Sequence, residues 1–173
     1  MLLTRAGLHP WTSLALVALS TLANSSPATV APKGCKNVPG DAGWPTTAQW
    51  NQLNTTVGGR LIKTIPIGSP CYRKTYNVAD YKYDISTYDE ASCQANVVQN
   101  WHEPTFHDQS SSSVMQTYFA NNSCNPINVQ GDCGIGSYVQ YAINVTDDQD
   151  ALAGISFAQK YNIRLLVRNT GHE

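Results

Sequence analysis

Apolar positions along this chain fall into periodic stretches separated by clusters of Gly, Pro, Ser and Asn. Trp50, Leu53 and Val57 recur at helical spacing, and Thr46 with Gln49 three residues on makes a capping box, so a helix is predicted from there to Gly58-Gly59. Residues 60–67 alternate loosely and predict a strand, closed by Pro66 and Pro70. Residues 71–86 are tyrosine-rich and irregular, and read as a surface insertion. Helical spacing returns over residues 89–101 in Ala91, Val97, Val98 and Trp101, with acids in the first turn and Pro104 as the stop. Ser110-Ser111-Ser112-Ser113 has a linker's composition, but Val114-Met115 and Tyr118-Phe119 follow at once, which makes it a loop inside the fold.

The last stretch has the clearest pattern. Residues 138–145 alternate around Val139, Tyr141, Ile143 and Val145 and predict a strand. A helix over residues 147–162 follows, capped by Asp147 or Asp148, with Leu152, Ile155, Phe157 and Ala158 toward one side. Residues 163–167 are apolar and branched, the composition of a strand buried on both faces of a parallel sheet. Together they predict a strand–helix–strand unit with a right-handed crossover.

Length and composition narrow the class. At 173 residues, 42% hydrophobic and 13% charged, the chain could hold one ordinary domain. A net charge of -1 with no basic run gives no argument for nucleic acid or an anionic membrane surface. Arg5 precedes a short apolar run over residues 14–23, with small Thr21 and Ala23 before a cleavage point. That is the shape of a secretory signal peptide over residues 1–23, and it is too short and weakly flanked for a stable membrane span, although an anchor helix is the competing reading. Residues 24–34, rich in Ser, Pro, Ala and Thr, predict a flexible leader. Once the signal is cleaved, no remaining segment is apolar enough for a bilayer, so a soluble, secreted protein is expected.

Cysteines and sequons agree with secretion. Cys35, Cys71, Cys93, Cys124 and Cys133 form no C-x-x-C pair of the kind that zinc or a redox centre uses. Their connectivity is not fixed by sequence; closing short loops pairs Cys71 with Cys93 and Cys124 with Cys133, leaving Cys35 over. Sequons place N-glycans at Asn54, Asn121 and Asn144, with a further one at Asn24 beside the cleavage point.

The candidate chemistry lies in Arg168-Asn169-Thr170-Gly171-His172-Glu173. A glycine-containing turn at a strand's carboxyl end can offer backbone N–H groups to a diphosphate, and Gly171 lets a ligand approach closely. His172 is a lone histidine, more often structural or exposed than functional. His102 and His107, with Glu103 and Asp108, match no zinc spacing and read as a solvated loop; no metal is expected. The lone G-x-G of Gly134 and Gly136 precedes a strand where a dinucleotide turn must follow one, so residues 131–136 read as a disulfide-closed turn. Trp44, Trp50 and Trp101 are assigned to the core.

The run Tyr141-Ala142-Ile143-Asn144-Val145, then Ser156-Phe157-Ala158, then Asn162 through His172 resembles fungal FAD-linked oxidases of the berberine-bridge-enzyme-like and vanillyl-alcohol-oxidase type. Gly43-Trp44-Pro45, Trp50 to Leu53, and Gly59-Arg60-Leu61-Ile62 with Pro66 and Cys71 are similar to the same family, so the likeness runs from about Cys35 to Glu173. It is narrowed to isoamyl-alcohol-oxidase-like proteins. Glu173 stands where the family usually has Asp. The resemblance implies an α+β fold, with residues 35–137 as an N-terminal extension and residues 138–173 as the start of a PCMH-type FAD-binding domain. It also implies FAD bonded covalently to His172, with Asn169, Thr170 and Gly171 near the phosphates. In such enzymes an alcohol or similar small molecule passes a hydride to the flavin, and oxygen reoxidises it.

Family members continue for several hundred residues beyond this point, with further flavin contacts, a substrate-facing sheet and the catalytic base, so the expectation is an incomplete domain holding no catalytic residue. Two alternatives stand beside it: an inactive remnant of such an oxidase, and a secreted, disulfide-bonded binding module without cofactor. In a yeast or fungal host the chain is expected in the medium, cut near Ala23 and losing mass on endoglycosidase treatment; an unglycosylated cytosolic product would contradict this.

Overall fold

The computed structural model describes residues 34–113 and 117–169. The expected signal peptide and most of the leader, Asn24, Val114-Met115 and the residues from Thr170 to Glu173 lie outside the described residues. The described chain mixes short helices with two small antiparallel sheets around two apolar clusters, an α+β arrangement.

Helix α1 (Thr47–Thr56) starts as the sequence predicts. Gln49 N donates to Thr46 Oγ1 at 3.4 Å and Thr46 N donates to Gln49 Oε1 at 2.8 Å, a complete capping box. Gly58 and Gly59, both at positive φ, then reverse the chain. That reversal feeds β1 (Leu61–Lys63), which pairs antiparallel with β4 (Tyr141–Ile143) in the register Leu61↔Ile143 and Lys63↔Tyr141. Asn144 N to Arg60 O at 3.0 Å and Thr64 N to Gln140 O at 3.1 Å extend the ladder by one bond at each end. Both strands are shorter than their alternating patterns predict.

β4 leads into α4 (Asp148–Lys160), capped by Asp147, whose carboxylate accepts from Asp150 N. Trp50 of α1 stacks on Tyr141 with ring centroids 4.0 Å apart and tilts against Phe157 of α4 at 4.7 Å. Leu53, Val57, Ala158 and Ile163 complete this first cluster. The predicted apolar side of α4 is only half covered: Phe157 and Ala158 face the cluster, while Leu152 and Ile155 stay exposed. Gly154 takes the inward place, where a Cβ would meet Ile143 at 3.0 Å.

The second cluster gathers Cys71, Tyr72, Cys93, Val97, Trp101, Cys124 and Cys133, with Ile67, Val98 and Phe106 against it. Disulfides Cys71–Cys93 and Cys124–Cys133 are formed, and Cys35 is free and exposed. Residues 71–86 are not a loose insertion, because β2 (Thr75–Asn77) and β3 (Lys82–Ile85) form a hairpin whose Thr75, with nearby Tyr72 and Val78, is buried. The tail of the second disulfide loop joins it, with Tyr76 N donating to Cys133 O and Cys133 N donating to Lys74 O. Helix α2 (Glu90–Ser92), capped by Asp89, widens into a π-helical turn over Cys93–Val98. The helical run ends at Asn100, short of Pro104 as predicted, and Pro104 in turn opens a new helix, α3 (Pro104–Asp108), where a missing N–H at the first turn costs nothing.

The predicted terminal strand is the main correction. Residues 164–167 pair with no described neighbour, and Ile163 makes a single parallel bridge to Asn37. Leu165, Leu166 and Val167 are 49%, 65% and 77% exposed, so their branched, apolar composition expresses a strand tendency without a ladder to realise it. β4 takes β1 as its partner, antiparallel, in place of the predicted parallel neighbour.

The α1–β1 turn is tied to the start of α4 by charge. Arg60 Nε and Nη2 donate to the two oxygens of Asp150 at 2.9 and 2.5 Å, and Thr146 donates to the same carboxylate through N and Oγ1, each at 3.0 Å. The Asp150 side chain is 3% exposed. Arg60 first, then the Thr146 backbone, hold its pKa down to about 2. An unfolded aspartate titrates near ~3.9, so the pair's contribution is complete above that pH and drains away as pH falls toward 2. Asp150→Asn is therefore expected to lower Tm by several degrees at neutral pH and to flatten the acid limb between about pH 4 and 2. Thermal melts across that range check this; a variant with the parent's acid limb would contradict it.

Candidate functional site

The residues expected to meet a cofactor follow α4, so the path of the chain out of that helix sets the site. Asn162 at positive φ ends α4, with Ile163 N returning to Ala158 O at 3.0 Å. Asn37 pins this exit: its N donates to Asn162 O at 2.8 Å and its Nδ2 to Tyr161 O at 2.7 Å. Asn162 Nδ2 reaches back to Cys35 O at 2.8 Å. Beyond Ile163 the chain crosses to the second cluster, where Arg168 Nη1 donates to Ser110 O and Nη2 lies 3.9 Å from Asp108 Oδ1.

The loop that receives Arg168 is braced from beneath. His107 is 2% exposed, packed edge-on to Trp101 and Phe106. Its Nε2 lies 2.7 Å from Trp101 O and its Nδ1 2.7 Å from Ser113 Oγ. A carbonyl can only accept, so Nε2 carries a proton and donates to Trp101 O, while Nδ1 pairs with the Ser113 hydroxyl. This corrects the reading of His102, His107, Glu103 and Asp108 as one solvated loop: His102 is exposed, but His107 is a buried brace. Sequence offers little signal for that, since a histidine between Phe106 and Asp108 has no periodic mark.

Of the expected FAD contacts, only Asn169 is among the described residues, and it is exposed at the end of the Arg168-anchored segment. Thr170, Gly171 and His172 lie outside them. One exposed amide does not by itself make a diphosphate site. The described residues do not complete the rest of such a site. A shallow, open depression lies between Tyr118, Phe119, Asn121, Asn122, Gly136 and Ser137, and it shares no residue with the 163–169 segment. Burial pushes the Tyr138 and Tyr141 hydroxyls up to about 12, so neither offers a base at neutral pH. Among the described residues no three His, Cys, Asp or Glu side chains converge to hold a metal, and no helix is long and apolar enough to cross a membrane.

The sequons differ in setting. Asn144 is exposed, as is Asn121, which sits at positive φ in a turn. Asn54 is half-buried in α1, and its Oδ1 accepts from Leu61 N at 3.0 Å.

Comparison with known proteins fits this geometry. The chain is 45% identical over 157 residues to the FAD-linked oxidoreductase sor8 of Hypocrea jecorina, a match covering 86% of this chain and 25% of that protein. It is 35% identical over 159 residues to the VAO-type flavoprotein oxidase VAO615 of Thermothelomyces thermophilus, covering 91% of this chain and 25% of the relative. The crystal structure of the VAO-type flavoprotein MtVAO615 from Myceliophthora thermophila C1 superposes with a TM-score of 0.69 at 35% identity, over 80% of this chain and 24% of that one. Over most of its length the chain is similar to VAO-type, FAD-linked oxidoreductases. It spans about a quarter of the length of the curated relatives it matches. No family model matches it. The α+β, flavoprotein-like fold expected from the sequence is thus found, as part of a VAO-type domain.

The brace under the Arg168 loop can be tested directly. His107→Phe keeps an aromatic ring, a somewhat larger one, but leaves Trp101 O and Ser113 Oγ without this partner, so a loss of about 2 kcal/mol in unfolding free energy is expected. Urea unfolding checks it, and a variant as stable as the parent would show that the ring's hydrogen bonds contribute nothing.

Proposed function

We propose that this chain is the flavin-attachment portion of a secreted FAD-linked oxidase, with FAD bonded to His172 and its phosphates near Asn169, Thr170 and Gly171. The supporting observation is the similarity to FAD-linked, VAO-type relatives combined with the order of residues. Asn169-Thr170-Gly171-His172 directly follows a segment anchored at Ile163 and Arg168. A backbone held at both ends of a short span suits a turn that must present donors and one histidine at a set place.

When bound, FAD would supply the acceptor for a hydride from an alcohol or secondary metabolite, with oxygen as the final oxidant. The relative VAO615 bears the name oxidase, which supports oxygen in that role. The chain's own residues would bind and orient; base chemistry and substrate choice would need groups beyond those described. Export is part of the same reading. Two disulfides and the exposed sequons Asn121 and Asn144 favour an oxidising, glycosylating compartment.

Alone, the 173-residue chain is expected to show little flavin absorbance and to release no peroxide with alcohols, because the described residues supply one end of a cofactor site. In a chain continued to the length of its relatives, a fluorescent flavin band should survive denaturing electrophoresis and disappear in His172→Ala. A band of equal strength in that variant would remove His172 from its assigned role.

A further inference from the structure

We propose that Arg168 is a positioning residue, latching the end of the 164–168 segment onto the loop after α3 and so fixing where the chain leaves it at Asn169. The proposal rests on the reading of His172 as the flavin's attachment point. Two described anchors hold this segment, the Ile163 bridge to Asn37 and the Arg168 side chain on Ser110 O. Between them Leu165, Leu166 and Val167 face solvent, so packing of the intervening residues adds little restraint.

The carbonyl that Arg168 grips is itself fixed. Ser110 N donates to His107 O at 3.0 Å, and Ser110 Oγ accepts from Ser112 N at 3.3 Å and Ser113 N at 3.1 Å. Below it, His107 is bonded through both ring nitrogens. The two contacts of the guanidinium are unequal. Asp108 Oδ1 is 3.9 Å away on a side chain 51% exposed, a screened pair of small weight. The carbonyl bond is direct and charge-assisted, and Arg168 is half-buried. The latch is therefore the Arg168–Ser110 bond, with Asp108 an accessory.

The test is 15N relaxation on the 173-residue chain, reading heteronuclear NOEs at Leu166, Val167, Arg168 and Asn169. Arg168→Ala should drop all four to free-chain-end values while the amides of α4 and Ile163 keep theirs, which also shows that the variant is folded. Arg168→Lys should recover part of the loss, because one donor can still reach Ser110 O. Asp108→Asn and salt of about 0.5 M should leave the values in place. Unchanged NOEs in Arg168→Ala would overturn the latch, and a loss in Asp108→Asn as large as that in Arg168→Ala would overturn its assignment to Ser110. The flavin band of the preceding test reads His172 and not Arg168, so failure of the latch and failure of the attachment reading are told apart.

Discussion

The bidentate contact between Arg60 and Asp150 links two places that the rest of the first cluster needs held together. Arg60 sits where Gly58-Gly59 turn α1 into β1, and Asp150 sits in the first turn of α4. With that contact made, the β1–β4 ladder and the α1–α4 packing are two sides of one closed loop, and Trp50 fills the space between them. The carboxylate is nearly inaccessible but fully partnered, receiving Arg60 on one side and Thr146 on the other. Removing Arg60 would leave that buried charge uncompensated, which is costlier than the pair is stabilising.

The second cluster is organised on another principle. Its longest helical run, residues 90–100, widens into a π-helix, and its cohesion comes from two disulfides, Trp101 and the hydrogen bonds of His107. Closing short loops cuts the entropy of the unfolded chain, which suits a region whose backbone is mostly turns. Its loop after α3 and the exit of α4 from the first cluster meet at Arg168. Both halves thus converge on the segment that precedes Asn169.

Local features were legible in the sequence and distant ones were not. Thr46 with Gln49, Gly58-Gly59 and the Asp147 cap act within a few residues, and each was placed correctly or within one position. The two disulfides were also legible, as the pairs that close the shortest loops. Arg60 and Asp150 stand 90 residues apart, and nothing in either neighbourhood marks the other. The periodic pattern of α4 found an apolar stripe but not which part of it would be covered, so Leu152 and Ile155 were assigned inward and lie outside. Residues 164–167 read as a buried strand because composition reports β tendency, whereas a strand also needs a neighbour to pair with. Pro104 marks a helix boundary from both sides: the run before it ends at Asn100, and α3, which the sequence pattern did not show, starts on it.

The distribution of recognisable features also explains why the family could be named while the substrate could not. The matches to sor8 and MtVAO615 cover 86% and 80% of this chain, whose described residues build helix caps, a β ladder and an aromatic stack on Trp50. These are scaffold elements, set by packing and pairing, and they persist wherever the same backbone must be built. Substrate choice depends on a shaped cavity with a few convergent polar groups. The described residues instead present an open depression at Tyr118 and Phe119 and an exposed apolar span at residues 165–167. A scaffold match therefore carries fold and cofactor class a long way, and leaves specificity to residues that the scaffold does not dictate.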